Sequence, residues 1–191
     1  MAHPKTFKAG STVGWTSYLQ APAIEELSDE QRAALRPVQV RAEYYRLLAR
    51  DPKIVDARTT VDNAIYHARE GLPRGERELC AAVSSMITGC PVCTTTHVKF
   101  AAKFSKREDD VLRLAEEGLE SDVGYRWNSM VNAAANLAAV RPVIDQNDVD
   151  SLRGTGFSEE EILDVVHSTA FFAWANRLLM TLGETTVSDP A

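Results

Sequence analysis

Cysteine is scarce in this chain, with three in 191 residues. The count is odd and the spacing matches no secreted disulfide framework, so permanent bridges are not what holds the fold together. A chain of this length buries enough surface to fold without them, which frees its thiols for chemistry. Basic residues are also short of what a phosphate-binding surface needs. Lys and Arg number 21 against 27 Asp and Glu, for a formal net charge of -6, and their dispersal among acids excludes a nucleic-acid partner. No window approaches the roughly 18 consecutive apolar residues of a membrane span, and the opening MAHPKTFKAGSTVGWTSYLQ lacks the continuous apolar core of a signal peptide. These absences predict a soluble, cytoplasmic protein with no membrane partner. No segment alternates with period two for long enough to make a strand, and there is no exact repeat, low-complexity tract or long linker. We expect one domain over 1–191, with an irregular N-terminal segment over 1–25.

What is present has helical period. In EEILDVVHSTAFFAWANRLLMTLG, Ile162, Val165, Val166, Thr169, Ala170 and Ala173 fall on one face. Similar stripes run through Leu79, Val83, Met86 and Ile87, and through Trp127, Met130, Val131, Ala134 and Ala138. Ser28 with Gln31, Ser105 with Glu108 and Ser158 with Glu161 have the spacing of capping boxes. Asp51-Pro52 suits a helix start, while Gly71, Gly118 and Pro142 suit helix ends. Helices are predicted near 29–36, 38–50, 53–70, 76–88, 91–104, 107–117, 125–141 and 159–182, with 145–157 irregular. The architecture is an all-α, multi-helix bundle. STAFFAWANRLL is apolar on most sides, which predicts burial against a second copy and hence a homo-oligomer.

The chemistry-bearing stretch is ELCAAVSSMITGCPVCTTTHVKF. Gly89 would end one helix and Pro91 open the next, leaving Cys90 near its N-cap and the redox helix pair at about 76–104. Cys90, Cys93 and His97 then share one face at i, i+3 and i+7. Exposed N–H groups and the positive end of the helix dipole favour a thiolate there, most of all on Cys90. An imidazole can take the thiol proton and a carboxylate can orient the imidazole, for which Glu78 is the obvious acid. Along straight helices at about 1.5 Å per residue, Glu78 lies about 18 Å and His97 about 10.5 Å from the turn, a mismatch of about 7 Å for side chains, a bend or a water to span.

Glu78, eleven residues, Cys90-Pro-Val-Cys93, three residues and His97 resemble the Glu-x11-Cys-x-x-Cys-x3-His signature of the AhpD-like alkylhydroperoxidases, within the carboxymuconolactone decarboxylase superfamily of all-α oligomers. FSEEEILDVVHSTAFFAWANRLLMTLGE also looks like the C-terminal helix of the branch called peroxidase-related enzymes. The resemblance covers roughly residues 40–184. It implies a two-thiol peroxidase that reduces hydrogen peroxide or organic hydroperoxides without metal, flavin or haem. In it Cys93 would attack the peroxide, Cys90 resolve the sulfenic acid, and His97 with Glu78 relay the proton. It also implies a lipoyl-bearing or other small thiol protein as reductant. The chain has Val92 where some active relatives carry a histidine, so slower peroxidase activity or use of the dithiol in disulfide exchange is a further expectation.

Other readings stand beside this one. A zinc site could draw on Cys90, Cys93 and His97 with Cys80, His67 or His167, but no second ligand pair exists in the sequence. A carboxymuconolactone decarboxylase-type reaction is an enzymatic alternative, in a branch that generally lacks the cysteine pair, and a redox sensor without turnover is a non-enzymatic one. Cys80 lies beside an apolar stripe and reads as an inert core residue. Trp15, Trp127 and Trp174 read as packing residues.

Overall fold

Ser28, Asp51 and Ser158 start helices as their positions predict. Each side-chain oxygen accepts a first-turn backbone N–H, from Gln31, Ile54 and Glu161 respectively, and so satisfies a donor that the helix itself leaves open. The structure, a computed structural model, describes residues 6–8 and 11–188. Over them the order is β1 (Thr12–Ser17), a 3-10 turn (Ile24–Glu26), α1 (Asp29–Ala33), α2 (Pro37–Val40), α3 (Glu43–Leu48), α4 (Pro52–Tyr66), α5 (Arg74–Thr88), α6 (Pro91–Ser105), α7 (Glu108–Glu117), α8 (Tyr125–Ala138), α9 (Gln146–Gly154), α10 (Glu159–Leu182) and β2 (Gly183–Ser188). The fold is all-α apart from one antiparallel ribbon, β1 on β2. Among the described residues no helix is long and apolar enough to cross a membrane.

Helix α5 lies at the centre and packs against α4, α6, α8 and α10. Leu79 and Val83 from α5 meet Met130, Val131 and Ala134 from α8 and Val165 from α10 in the main core. Burying each large aliphatic side chain of this kind stabilises the fold by about 1.5–3 kcal/mol relative to exposure. Both predicted stripes face this core, Ile87 being half-buried.

Several local expectations give way. The segment expected to be irregular over 1–25 carries β1, which pairs Thr12 with Ser188 and Ser17 with Gly183; residues 1–5, 9 and 10 of it lie outside the described residues. Neither strand buries a full face, so neither shows the alternation by which a strand is read. Residues 146–154, within the stretch expected to be irregular, form α9. The Asp145 carboxylate accepts from the N–H groups of Asn147 and Asp148, and Leu152 is the one buried residue of this helix. The 38–50 helix is divided into α2 and α3, and α4 stops at Tyr66, short of Gly71. Ser105 ends α6 instead of capping α7, with Lys106 in the left-handed region behind it at φ 58°. On α10, Ala170 is exposed and the buried face turns toward Phe172, Ala175, Asn176 and Leu179.

The ribbon has one close approach that bears on the site. A Cβ at Gly183 would lie 2.4 Å from atoms of the Trp15 indole, so the absence of a side chain is what lets the ring sit there. The indole N–H donates to the Leu179 carbonyl at 3.0 Å, and the ring meets Tyr44 edge-on with centroids 5.8 Å apart.

Candidate active site

The site is built at the turn between α5 and α6. Gly89 adopts φ 75°, ψ 34°, the left-handed conformation that ends a helix at little steric cost only for glycine. The Cys90 N–H then bonds back to the Ser85 carbonyl at 2.9 Å, and Pro91 opens α6 with Cys90 at its N-cap. The two helices run back along each other, which returns His97 to the level of Glu78. His97 Nδ1 lies 2.7 Å from Glu78 Oε2, so the side chains themselves span the axial mismatch anticipated from the helix rise.

Glu78 is 2% exposed. Burying a carboxylate this deeply is costly unless both oxygens are matched. His97 serves one, and the Arg74 guanidinium serves the other, with Nε and Nη2 each 3.2 Å from Oε1. With Nδ1 engaged by the carboxylate, Nε2 is the imidazole nitrogen left for chemistry. Phe172 fixes the ring from the side, centroid to centroid 3.9 Å.

The three cysteines are free and buried. The Cys93 thiol donates to the Cys90 sulfur, and this bond, helped by the backbone N–H groups of Cys93 and Val92, holds the Cys90 thiol below its ordinary range despite burial. Cys93 is raised well above that range, first by donating to Cys90 and then by burial, with Arg58 opposing. Cys90 is thus the more acidic thiol of the pair, as its place at the helix start predicts. Burial pushes the Cys80 thiol far up, in keeping with a core residue.

Access runs the other way. Cys93, His97 and Glu78 all line one cavity of about 510 Å³, whereas Cys90 borders a separate cavity of about 330 Å³ beside Ser85 and Gly89. The first cavity has an apolar wall that includes Trp15, Phe100 and Leu179, and it also takes in Arg58, Tyr44 and Tyr66, which the sequence pattern did not single out. Arg74 had a legible signal, since it stands one helical turn before Glu78 at the i, i+4 spacing of an ion pair. Of the proposed fourth zinc ligands, His67 borders the Cys93 cavity, Cys80 lies in the main core and His167 is exposed on α10. Among the described residues no group of three or more His, Cys, Asp or Glu is arranged to hold a metal ion.

An all-α fold with a thiol pair at a helix start, backed by a carboxylate-held imidazole, defines a class, and the comparisons agree with it. The carboxymuconolactone decarboxylase family model matches residues 52–139, which span α4 to the end of α8. The chain is similar to a peroxidase-related protein from Ralstonia eutropha JMP134, described as an alkylhydroperoxidase AhpD core, with 26% identity and a TM-score of 0.74 over 87% of this chain and 90% of that one. A peroxidase-related protein from Silicibacter sp. TM1040 matches at 24% identity and a TM-score of 0.73, over 87% and 89% of the two chains. A variant of the debrominase Bmp8, in complex with 2,3,4-tribromopyrrole, shares the fold at 19% identity and a TM-score of 0.70, over 87% and 91%. No curated protein matches the sequence. The family-model match and the shared fold support a place in the AhpD-like and carboxymuconolactone decarboxylase superfamily. The family-model match and the 26%-identical structure support an enzymatic role of the peroxidase-related or decarboxylase-like kind.

Proposed function

We propose that the protein is a thiol-dependent peroxidase that reduces hydrogen peroxide or organic hydroperoxides at Cys93, with Cys90 as the resolving thiol and His97 and Glu78 as the proton relay. The observation that carries this reading is the shared cavity of Cys93, His97 and Glu78, with the Cys90 sulfur in contact behind Cys93. Once the pair has lost one proton, the other is shared between its sulfurs. Passing it from Cys93 to Cys90 puts the thiolate on the sulfur that faces the cavity. That thiolate attacks the peroxide: an S–O bond forms, the O–O bond breaks, and the leaving alkoxide or hydroxide takes a proton from the His97–Glu78 pair, which solvent restores. Cys93 becomes a sulfenic acid. Cys90 then attacks the Cys93 sulfur, so that an S–S bond forms, the S–O bond breaks, and water leaves with the Cys90 proton. Two electrons and two protons from a dithiol reductant return both thiols, for which a lipoyl-bearing or other small thiol protein is suited.

The test is the intact mass of the protein, alkylated under denaturing conditions, before and after one equivalent of peroxide. Two alkylation sites should disappear, map to Cys90 and Cys93, and return on treatment with a dithiol. With excess dithiol, peroxide should be consumed in steady state. Cys93→Ser should abolish consumption, and Cys90→Ser should complete one reduction and stall as sulfenic acid. Thiols indifferent to peroxide would overturn the reading. A homo-oligomer is part of the same proposal, because Leu163, 55% exposed, and Trp174 leave apolar surface uncovered along α10; a monomer by light scattering at micromolar concentration would refute it.

A further inference from the structure

The cavity that holds Cys93 also holds polar groups that the peroxide chemistry does not use. Arg58 and Tyr66, both on α4, are 6% and 5% exposed, and Tyr44 on α3 borders the same space. Among the described residues, Nε and Nη1 of Arg58 and the hydroxyls of Tyr44 and Tyr66 have no hydrogen-bond partner. The guanidinium is held between two aromatic rings, 5.2 Å from the centroids of both Tyr45 and Phe171. Such faces offset only part of the cost of burying a cation. Burial pushes both phenols above their ordinary range, so each keeps its proton and is a donor.

Other charges on the wall do not finish the set. Arg36 adds a further unpartnered nitrogen, Nη2. Arg74 is already committed to Glu78. Of the two acids on the wall, Glu78 is taken up by Arg74 and His97, and Asp62, one turn from Arg58 on α4, forms no ion pair with it. What Arg58 lacks is an anionic partner.

We propose that Arg58, Tyr44 and Tyr66 form a carboxylate subsite, and that the substrate of the Cys93 centre is an organic hydroperoxide carrying a carboxylate on an apolar body. The reactive end of this assignment rests on the peroxidase reading; the carboxylate end rests on the unmatched donors alone. A guanidinium fork suits the two oxygens of a carboxylate. The apolar wall suits the body, and about 510 Å³ exceeds what a bare peroxide would fill.

The test needs no turnover. Binding of 4-phenylbutyrate and of its methyl ester to the reduced full-length protein is compared by calorimetry. The acid should bind about tenfold to a hundredfold more tightly than the ester, the range of a charge-assisted hydrogen bond. Arg58→Met should bring the two within about threefold of each other, and Arg58→Lys, which keeps the charge without the fork, should retain part of the difference. Equal affinity in the wild-type protein, or binding of neither compound at millimolar concentration, overturns the proposal whether or not the variants fold. So does an acid preference that survives Arg58→Met. A loss in the variant that strikes acid and ester hydroperoxides equally, through kcat, would also overturn it, because Arg58 would then serve the Cys93 sulfur. Neither calorimetric probe contains an O–O bond, so a protein that prefers the acid but consumes no peroxide would keep the subsite and refute only the reaction.

Discussion

Two buried arginines of this molecule are treated in opposite ways. Arg77, 1% exposed, donates to the carbonyls of Ile65, Ala68 and Glu70 and lies 2.8 Å from the Asp164 carboxylate. It closes the turn from α4 to α5, and its acceptors come largely from the segment it folds. Arg58, on the cavity side, has no acceptor from the described residues for Nε or Nη1. The cysteines divide along the same line. Cys80 sits in the main core with its thiol pushed up by burial, while Cys90 faces donors that hold its thiol down. On the closed side the chain supplies acceptors to both terminal nitrogens of Arg77 and leaves only its Nε without a partner. On the open side the fold gathers donors, a thiolate and an oriented imidazole and leaves them to be completed from outside. Unmatched donors occur elsewhere too, at Ser168 and Thr169, but in this cavity they gather beside a perturbed thiol.

If that division is real, changes on the open side should disable chemistry and changes on the closed side should disable folding. The largest effect is expected from His97→Gln, which removes the proton relay and should lower peroxide turnover by about 10²–10⁴-fold, the usual span of acid–base catalysis. An activity within tenfold of wild type would separate the imidazole from the reaction. Next is Arg77→Met, which leaves three carbonyls without their donor and Asp164 with the Leu72 N–H alone; urea denaturation should reveal a loss of about 3–5 kcal/mol. A midpoint that barely shifts would erase the contrast between the two arginines. Arg58→Met should change stability by no more than about 1 kcal/mol and can raise it, since an apolar side chain replaces an unpaired buried cation. A loss as large as that of Arg77→Met would mean Arg58 is structural too.

The smallest signal is in the thiols. Because the Cys90 pKa is lowered, its thiolate exists at lower pH than an ordinary thiolate, and the Cys93 thiolate, with its pKa raised, follows only at higher pH. Absorbance at 240 nm should therefore rise in the reduced protein below pH about 8.5, the value of a free thiol, and the first phase should vanish in Cys90→Ser. A first phase at or above the free-thiol value would contradict the hydrogen bond from Cys93 to Cys90.

The residues that sequence could place are those whose meaning is local. Capping by Ser28 and Ser158, the stripes through Leu79 and Met130, and the Gly89–Pro91 turn each depend on neighbours a few positions away. For the same reason Cys90, Cys93 and His97 could be grouped on one helical face by their spacing, whereas spacing put Glu78 within reach without requiring it. The β1–β2 ribbon could not, because it joins strands more than 160 residues apart in which neither face is fully buried. Helix α9 escaped because Asp145 and Asp148 cap it with carboxylates, a variant of the serine with glutamate or glutamine that opens α1 and α10. Arg58, Tyr44 and Tyr66 escaped for a different reason. Their significance lies in contacts they do not make, and a sequence displays donors without displaying missing acceptors. The two cysteines fall between these cases: position at the helix start points to the more acidic sulfur, whereas which sulfur meets the cavity is a property of packing.

Gly183 touches no sulfur and is not part of the cavity wall, yet it governs a dimension of the cavity. The Trp15 ring rests against its bare backbone and borders the cavity beside Tyr44. A larger residue at 183 would displace the indole and so reshape that wall, with the packing that Trp15 gives the cysteine cluster. The bore of the cavity is thus set from outside its own wall, and lineages of this fold could exchange one substrate for another through a seam residue that never meets either.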